Sequence, residues 1–150
     1  MIHLQTIERL SLELLQPLLD ASLREGYTFI QKLWDEYESG AVPFTEPGAL
    51  LLGGFVDSQL AAVGGVHPDP YLNVPTIGRI RHVYVQPQLR RHGVGALLVQ
   101  ALMAQSAAHF TTFTLRTMTE HGCAFYEALG FSAQPRFAQA SHWRSIADPE

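Results

Sequence analysis

The sequence predicts a single α/β domain built on a mixed sheet. Strand-like and helix-like segments follow one another in the order β-α-α-β-β-β-α-β-α-β, with a further weak strand signal near the C-terminus. Two apolar runs, Ala49 to Val56 and Gln59 to Val66, meet at Asp57-Ser58 and read as an antiparallel hairpin. The 150 residues contain no repeat, low-complexity tract or linker, and a chain of that length fits one domain.

Ile2 to Thr6 is a short strand candidate. Leu15, Leu18, Leu19 and Leu23 recur at helical spacing in the next segment, Leu12 to Glu25, with Pro17 placed in its first turn and Gly26 breaking it. A second helix runs from about Tyr27 to Ser39, with Phe29, Ile30, Leu33, Trp34 and Tyr37 as its buried stripe and Gly40 at its end. After the hairpin, His67 to Pro75 forms a proline-rich polar loop, long for a connection between strands and therefore a functional candidate. Ile77 to Val85 is a strand stopped by Pro87. Gly93 to Phe110 is a helix with Val94, Leu97, Leu98, Ala101 and Leu102 on one face. Phe113 to Thr117 is a strand, Glu120 to Leu129 a helix ended by Gly130, and Phe131 and Ser141 to Ile146 give weaker strand signals.

Composition narrows the function. The net charge of −4 argues against a nucleic-acid partner, which calls for a basic surface. A single cysteine, Cys123, allows no intramolecular disulfide, and no tight His/Cys cluster offers a structural zinc site, so no metal is expected. The N-terminal residues lack the pattern of a signal peptide, and no apolar stretch approaches the roughly 20 residues that span a bilayer. The expectation is a cytoplasmic protein without a membrane partner. Four of the nine arginines (Arg79, Arg81, Arg90, Arg91) fall within thirteen positions, which suits a small anionic ligand as well as an ordinary charged surface.

The stretch that carries chemistry runs from Val83 to Ala96. A strand ends, a polar loop follows, and a helix opens with Gly93 and Gly95. Unpaired N–H groups at a helix start form an anion site, glycine lets a pyrophosphate approach the backbone, and Arg90 and Arg91 add charge. The bare pattern is weak; a strand before it and an amphipathic helix after it give it weight. No Gly-Lys-Ser/Thr follows, which excludes a Walker A loop. The missing third glycine and the lack of a βαβ start disfavour a dinucleotide-binding Rossmann unit.

In these residues the chain resembles the GNAT superfamily of N-acetyltransferases. Its signature Arg/Gln-x-x-Gly-x-Gly/Ala is met by Arg90, Gly93 and Gly95, after an apolar-x-Val-x-Pro strand met by Val83, Val85 and Pro87. A second segment of the form Phe-Tyr-x-x-Leu-Gly-Phe is intact as Phe125 to Phe131. The resemblance implies a mixed, mostly antiparallel central sheet of about six to seven strands flanked by about four helices. It also implies acetyl-coenzyme A as co-substrate. Arg90, Arg91, His92, Gly93, Val94, Gly95 and Ala96 would hold the pyrophosphate. The main chain of Val83, Tyr84 and Val85 would pair with the pantetheine arm. Tyr126 takes the place of the general acid. It serves a thiolate leaving group whose conjugate acid has a pKa of roughly 8.5 by analogy with cysteine. On helical spacing alone, Tyr126 reads as a core aromatic.

The sequence departs from the family twice. Where many members carry a strand glutamate acting as base through water, Arg79 stands here. The asparagine common before the tyrosine segment has Thr119 as its nearest match, and Thr119 is placed with the cofactor contacts. The proton acceptor is therefore open between Asp69 or His67 in the proline-rich loop, His82 on the strand, Glu120 at the last helix start, and a water chain with no single base. Asp69 reads equally as a turn residue before Pro70, His82 as a satisfied sheet histidine, and Glu120 as a helix-start charge.

The first two helices and the loop after the hairpin usually wall the acceptor site in this family. Here they offer Glu25, Tyr27, Trp34, Asp35, Glu36, Glu38, Asp69 and Tyr71, a set that suits a cationic small-molecule or peptide amine. A solvated helix face is the plainer account of Asp35, Glu36 and Glu38. Tyr27, Trp34 and Tyr71 are the substrate-side candidates. Three activities follow in order: acetyl transfer to a primary amine, an acetyl-coenzyme A sensor without turnover, and transfer with another acyl donor or to an alcohol. Ser141 to Ile146 is the candidate for pairing two copies into a homodimer, on fold analogy alone.

Overall fold

The computed structural model describes residues 2–146. Six strands form one sheet in sequence order: β1 (His3–Thr6), β2 (Leu50–Val56), β3 (Gln59–Pro68), β4 (Ile77–Val85), β5 (Thr112–Leu115) and β6 (His142–Ser145). Every pairing is antiparallel except β4 with β5. The parallel step is bridged by helix α3 (Val94–Gln105), as a crossover connection requires. Helices α1 (Leu12–Arg24) and α2 (Phe29–Ser39) join β1 to β2, and α4 (Glu120–Ala128) joins β5 to β6. The mixed, mostly antiparallel sheet with four helices is the predicted architecture.

Two cores lie on the two faces of the sheet. Adjacent residues of β2 point to opposite sides, so Leu51 joins one core and Leu52 the other. Leu15, Leu18, Leu19, Ile30 and Leu33 of α1 and α2 pack with Leu51, Leu60, Val63 and Tyr84. Val94, Leu98, Val99 and Leu102 of α3 pack with Leu52, Ala62, Val66, Ile80, Phe113 and Leu115 on the other face.

Several boundaries move for physical reasons. Ser11 caps α1, its hydroxyl accepting from the Leu14 N–H at 3.1 Å, so the helix starts at Leu12 and Pro17 falls beyond the first turn, where its ring forgoes the bond to the Glu13 carbonyl. Leu23 is exposed and Ser22 is buried in its stead, its hydroxyl returned to the Leu19 carbonyl. In α3 the buried face is Val94, Leu98, Val99, Leu102 and Met103, leaving Leu97 outside. That helix stops at Gln105 rather than Phe110, because Ser106 bonds back to Leu102 and the chain turns Phe110 into the core. Beyond Phe131 a single bridge, Ser132 to Trp143, replaces the expected strand.

Replacing Leu98, fully buried, by alanine is expected to cost about 2–5 kcal/mol of folding stability. The same change at exposed Leu97, one residue earlier, is expected to stay within about 0.5 kcal/mol. Urea unfolding of the two variants checks both.

Candidate functional site

The site begins with a fault in strand pairing. Tyr84 faces Val63 and Arg81 faces Gly65, so β4 spends one residue more than β3 over the same stretch. The extra residue is accommodated at His82, whose φ is 62°. Such a bulge bends its strand and increases the local twist. β5 keeps register with β4 only at Ile77, Gly78 and Arg79. From Ile80 to Val85 β4 has β3 on one side and no strand on the other. That leaves main-chain groups of Val83 and Val85 facing the gap, open to an extended ligand, while those of Tyr84 pair with Val63 of β3. The Tyr84 ring itself is buried in the α1–α2 core.

β4 leads through a 3₁₀ turn (Pro87–Leu89) into the start of α3. Arg91 and Gly93 both take positive φ, 67° and 77°, turning the chain so that the helix N-terminus faces out. The first bond of α3 runs from Leu97 N to the Gly93 carbonyl, and no side chain caps the helix. The N–H groups of Gly93, Val94, Gly95 and Ala96 are thus without a helical partner and form an anion cradle. A Cβ at Gly93 would meet nothing within 4 Å, which leaves the cradle open. Gly95 serves packing instead: a Cβ there would stand 3.2 Å from the Phe125 ring of α4.

Arg90 is committed elsewhere. Its guanidinium makes two bonds to the Glu25 carboxylate, 2.8 and 2.7 Å, and its Nε donates to the Val85 carbonyl at 3.0 Å. The Tyr84 hydroxyl donates to the same carboxylate. The Arg90 fork holds the Glu25 carboxyl below its usual pKa. Glu25 therefore fastens the loop to the end of α1. Among the described residues Arg91 has no ion pair and is exposed, so the free charge at the cradle is its own.

Tyr126 packs edge-on against Phe125 and Phe131, with centroids 4.8 and 5.5 Å away. Its hydroxyl makes no bond to the described residues, and burial pushes its pKa upward, so it stays protonated at neutral pH. Thr119 caps α4, accepting from the Gly122 N–H at 2.9 Å. Glu120 is exposed in the first turn.

On the α2 face a pocket of about 410 Å³ is lined by Glu36, Glu46, His67, Asp69, Tyr71 and Arg81, among others. Asp69 is buried and occupied: it accepts from Thr114 Oγ1 of β5 and from Tyr71 N, and lies 3.5 Å from Arg79 Nη1. Arg79 also donates to the Gln139 carbonyl and covers the Tyr71 ring. His82 Nε2 sits 3.7 Å from Glu36 Oε1, and Arg81 reaches the same oxygen at 3.2 Å. Burial, followed by the Arg81 charge, drives the His67 pKa down to about 4 and that of His82 to about 3. Both rings are neutral at physiological pH. Of the aromatic candidates, Tyr71 lines the pocket; Trp34 stacks on Tyr37 and Tyr27 packs on Phe29.

The family's sequence model, described as the acetyltransferase (GNAT) domain, matches residues 53–133. The chain belongs to the GNAT acetyltransferase family. This family transfers acetyl groups from acetyl-coenzyme A, and its members' fold recurs throughout the solved structures that this GNAT chain resembles. A candidate acetyltransferase of Exiguobacterium sp. 255-15 superimposes with a TM-score of 0.82 at 25% identity, covering 96% of this chain and 93% of its own. The PaiA N-acetyltransferase of Thermoplasma acidophilum, solved with coenzyme A, gives 0.67 at 16% identity, with 97% and 99% covered. Glucosamine-6-phosphate N-acetyltransferase of Arabidopsis thaliana gives 0.64 at 16% identity, with 93% and 97% covered. No curated protein matches the sequence.

Within the GNAT frame, nothing in the sequence marks Glu46 as a pocket residue or Glu36 as the neighbour of Arg81 and His82. Glu46 lies in an irregular segment between α2 and β2, where no period marks which way a side chain faces. The fold also gathers Cys123, Glu127 and His142, whose donor atoms lie within 4.8 Å of one another, from positions too far apart in sequence to read as a cluster. The His142 ring is already engaged by Glu127 and Ser141.

The two neutral histidines make stability pH-dependent. Their folded pKa values lie below the unfolded value of 6.5, so the unfolded chain takes up protons first as pH falls. Stability is expected to be complete above pH 6.5 and to decline from there toward pH 4. Replacing His82 by glutamine flattens that slope, read as melting temperature against pH.

Proposed function

We propose that this chain transfers the acetyl group of acetyl-coenzyme A to a primary amine, by direct attack with both substrates bound. The parted β4–β5 edge that runs into the uncapped start of α3 carries this reading. Together they offer an extended main-chain edge for a pantetheine arm and a cradle for a pyrophosphate, in the order in which coenzyme A presents them. When bound, the coenzyme supplies an activated thioester.

The chain's own residues do the rest. Val83 and Val85, on either side of Tyr84, orient the donor through main-chain bonds, and Arg91, His92, Gly93, Val94, Gly95 and Ala96 bind its phosphates. Thr119 contributes through the helix start that it caps. Tyr126 holds a proton on its hydroxyl, ready for a departing thiolate. Binding donor and acceptor side by side supplies much of the acceleration through positioning. Removal of the amine proton falls to His82 with Glu36 beside it, to Asp69, to Glu120 or to water. The weak basicity of buried His82, its pKa lowered to about 3, and the fully bonded Asp69 favour water relayed past Glu36.

A sensor without turnover is the second reading, favoured by one observation: Arg79 fills the place of the family's strand glutamate and is locked to Asp69 and Gln139.

Thermal melts with and without acetyl-coenzyme A test the binding step. A ligand at about one hundred times its Kd adds roughly 2.7 kcal/mol to stability. Gly93 is a poor site for a blocking side chain because its positive φ strains any replacement. Ala96→Glu keeps a residue favoured near a helix start while placing a carboxylate in the cradle. The stabilisation is expected in the wild type and absent in that variant. A folded wild type that shows none at saturating ligand sinks the reading.

Tyr126→Phe tests the chemistry. It is expected to lower kcat by about 10²–10⁴-fold while the acetyl-coenzyme A melt shift persists. Thiol release, followed with a panel of amines, measures it; a melt shift with no release from any amine selects the sensor.

A further inference from the structure

Among the described residues, five buried side-chain atoms have no hydrogen-bond partner: Glu36 Oε1, Glu46 Oε1, His67 Nε2, Arg79 Nη1 and His82 Nε2. They come from α2, the segment before β2, β3 and β4, yet all gather at one place. Glu36, Glu46 and His67 line the 410 Å³ pocket. Arg79 stands behind its wall, 3.5 Å from Asp69, and His82 Nε2 lies 3.7 Å from Glu36 Oε1. Buried polar atoms are almost always paired, and each exception asks for an explanation. A polar ligand in the pocket accounts for Glu36, Glu46 and His67, while Arg79 and His82 face the carboxylates of Asp69 and Glu36. The pocket has the size of a small-molecule site.

The charges say what that ligand carries. Asp69 is opposed by Arg79 and Glu36 by Arg81. His67 is 3% exposed and neutral, with Nε2 unpartnered. Glu46 has neither an ion pair nor a side-chain hydrogen bond among the described residues, so one negative charge in the pocket is unopposed. An attacking amine is neutral when it reacts and cannot supply the missing positive charge at that moment. Arg81 brings the freed stretch of β4 to one side of the pocket, while Glu46 enters from the segment before β2. The pocket thus has a reacting wall and a charge-holding wall.

We propose that the acceptor is a small aliphatic diamine, one amino group reacting at the β4 wall and the other, still protonated, held by Glu46 beside His67. This rests on the acetyl-transfer reading above. Glu46 acts on specificity only: it selects the acceptor by charge and does not touch the reacting atoms.

The test uses three amines of one length: 1,4-diaminobutane, pentylamine and 4-aminobutanoate. With acetyl-coenzyme A as donor, kcat/KM is expected to be highest for the diamine, by roughly tenfold or more over pentylamine. Glu46→Gln should raise KM for the diamine by a similar factor, leaving pentylamine and the KM for acetyl-coenzyme A unchanged. Glu46→Lys should move the preference to 4-aminobutanoate. Equilibrium titration of the same amines into protein saturated with coenzyme A gives the same ranking without turnover. A wild type that favours the diamine in neither assay overturns the proposal, as does a folded Glu46→Gln that keeps the preference. Absence of any acetyl-coenzyme A melt shift is a different result, and it removes the acetyl-transfer reading instead.

Discussion

One extra residue in β4 organises this molecule. Opposite Val63 and Gly65, β4 must fit His82 into a left-handed conformation, and the strand swings off line. β5, which runs parallel to β4 and is locked to β6, cannot follow, so pairing ends at Arg79. A parallel pair that stayed in register would leave no unpaired main chain at the sheet centre. The same bend carries the end of β4 toward the start of α3, so an open strand edge and an uncapped helix N-terminus become neighbours. It also turns His82 toward Glu36, which opens the polar side of the sheet.

The two faces of the sheet then do different work. The α3 face is packed with apolar side chains, and Gly95 lets α3 approach Phe125 of α4, next to Tyr126 and Phe131. The α2 face accepts unpaired polar atoms at a cost of about 1–3 kcal/mol for each buried group left unsatisfied. Asp69 is the link across: from the loop after β3 it binds Thr114 of β5 and faces Arg79 of β4, closing the pocket wall exactly where the two strands part company.

Much of this was legible in the sequence, and the rest was not for definable reasons. Ile77 to Val85 was readable because a continuous apolar strand is bounded by a proline. Gly93-x-Gly95 and Phe125 to Phe131 were readable because local spacing fixes what each residue does. Pairings between distant residues leave no such trace. Nothing at position 25 or 90 shows that Glu25 and Arg90 meet, and a lone Glu46 in an irregular segment has no period to place it. Helical periodicity put Leu97 on the apolar face and missed Val99 and Met103, because α3 is apolar nearly all round and its buried side is chosen by the sheet. The bulge at His82 is invisible for a similar reason: a histidine within an apolar strand signals burial, not a change of backbone hand.

The Arg90–Glu25 fork has a consequence for how the loop senses its medium. The cation that the sequence places at the cradle is neutralised within the protein, so it projects little field into solvent. What remains for an anion is the contact attraction of four N–H dipoles and the exposed charge of Arg91. Dipoles act at hydrogen-bond range, far inside a Debye length of about 8 Å at physiological ionic strength. On the acetyl-transfer reading, added salt would therefore screen the approach of a polyanionic ligand through one exposed arginine, while backbone contacts to a seated phosphate would be left largely untouched.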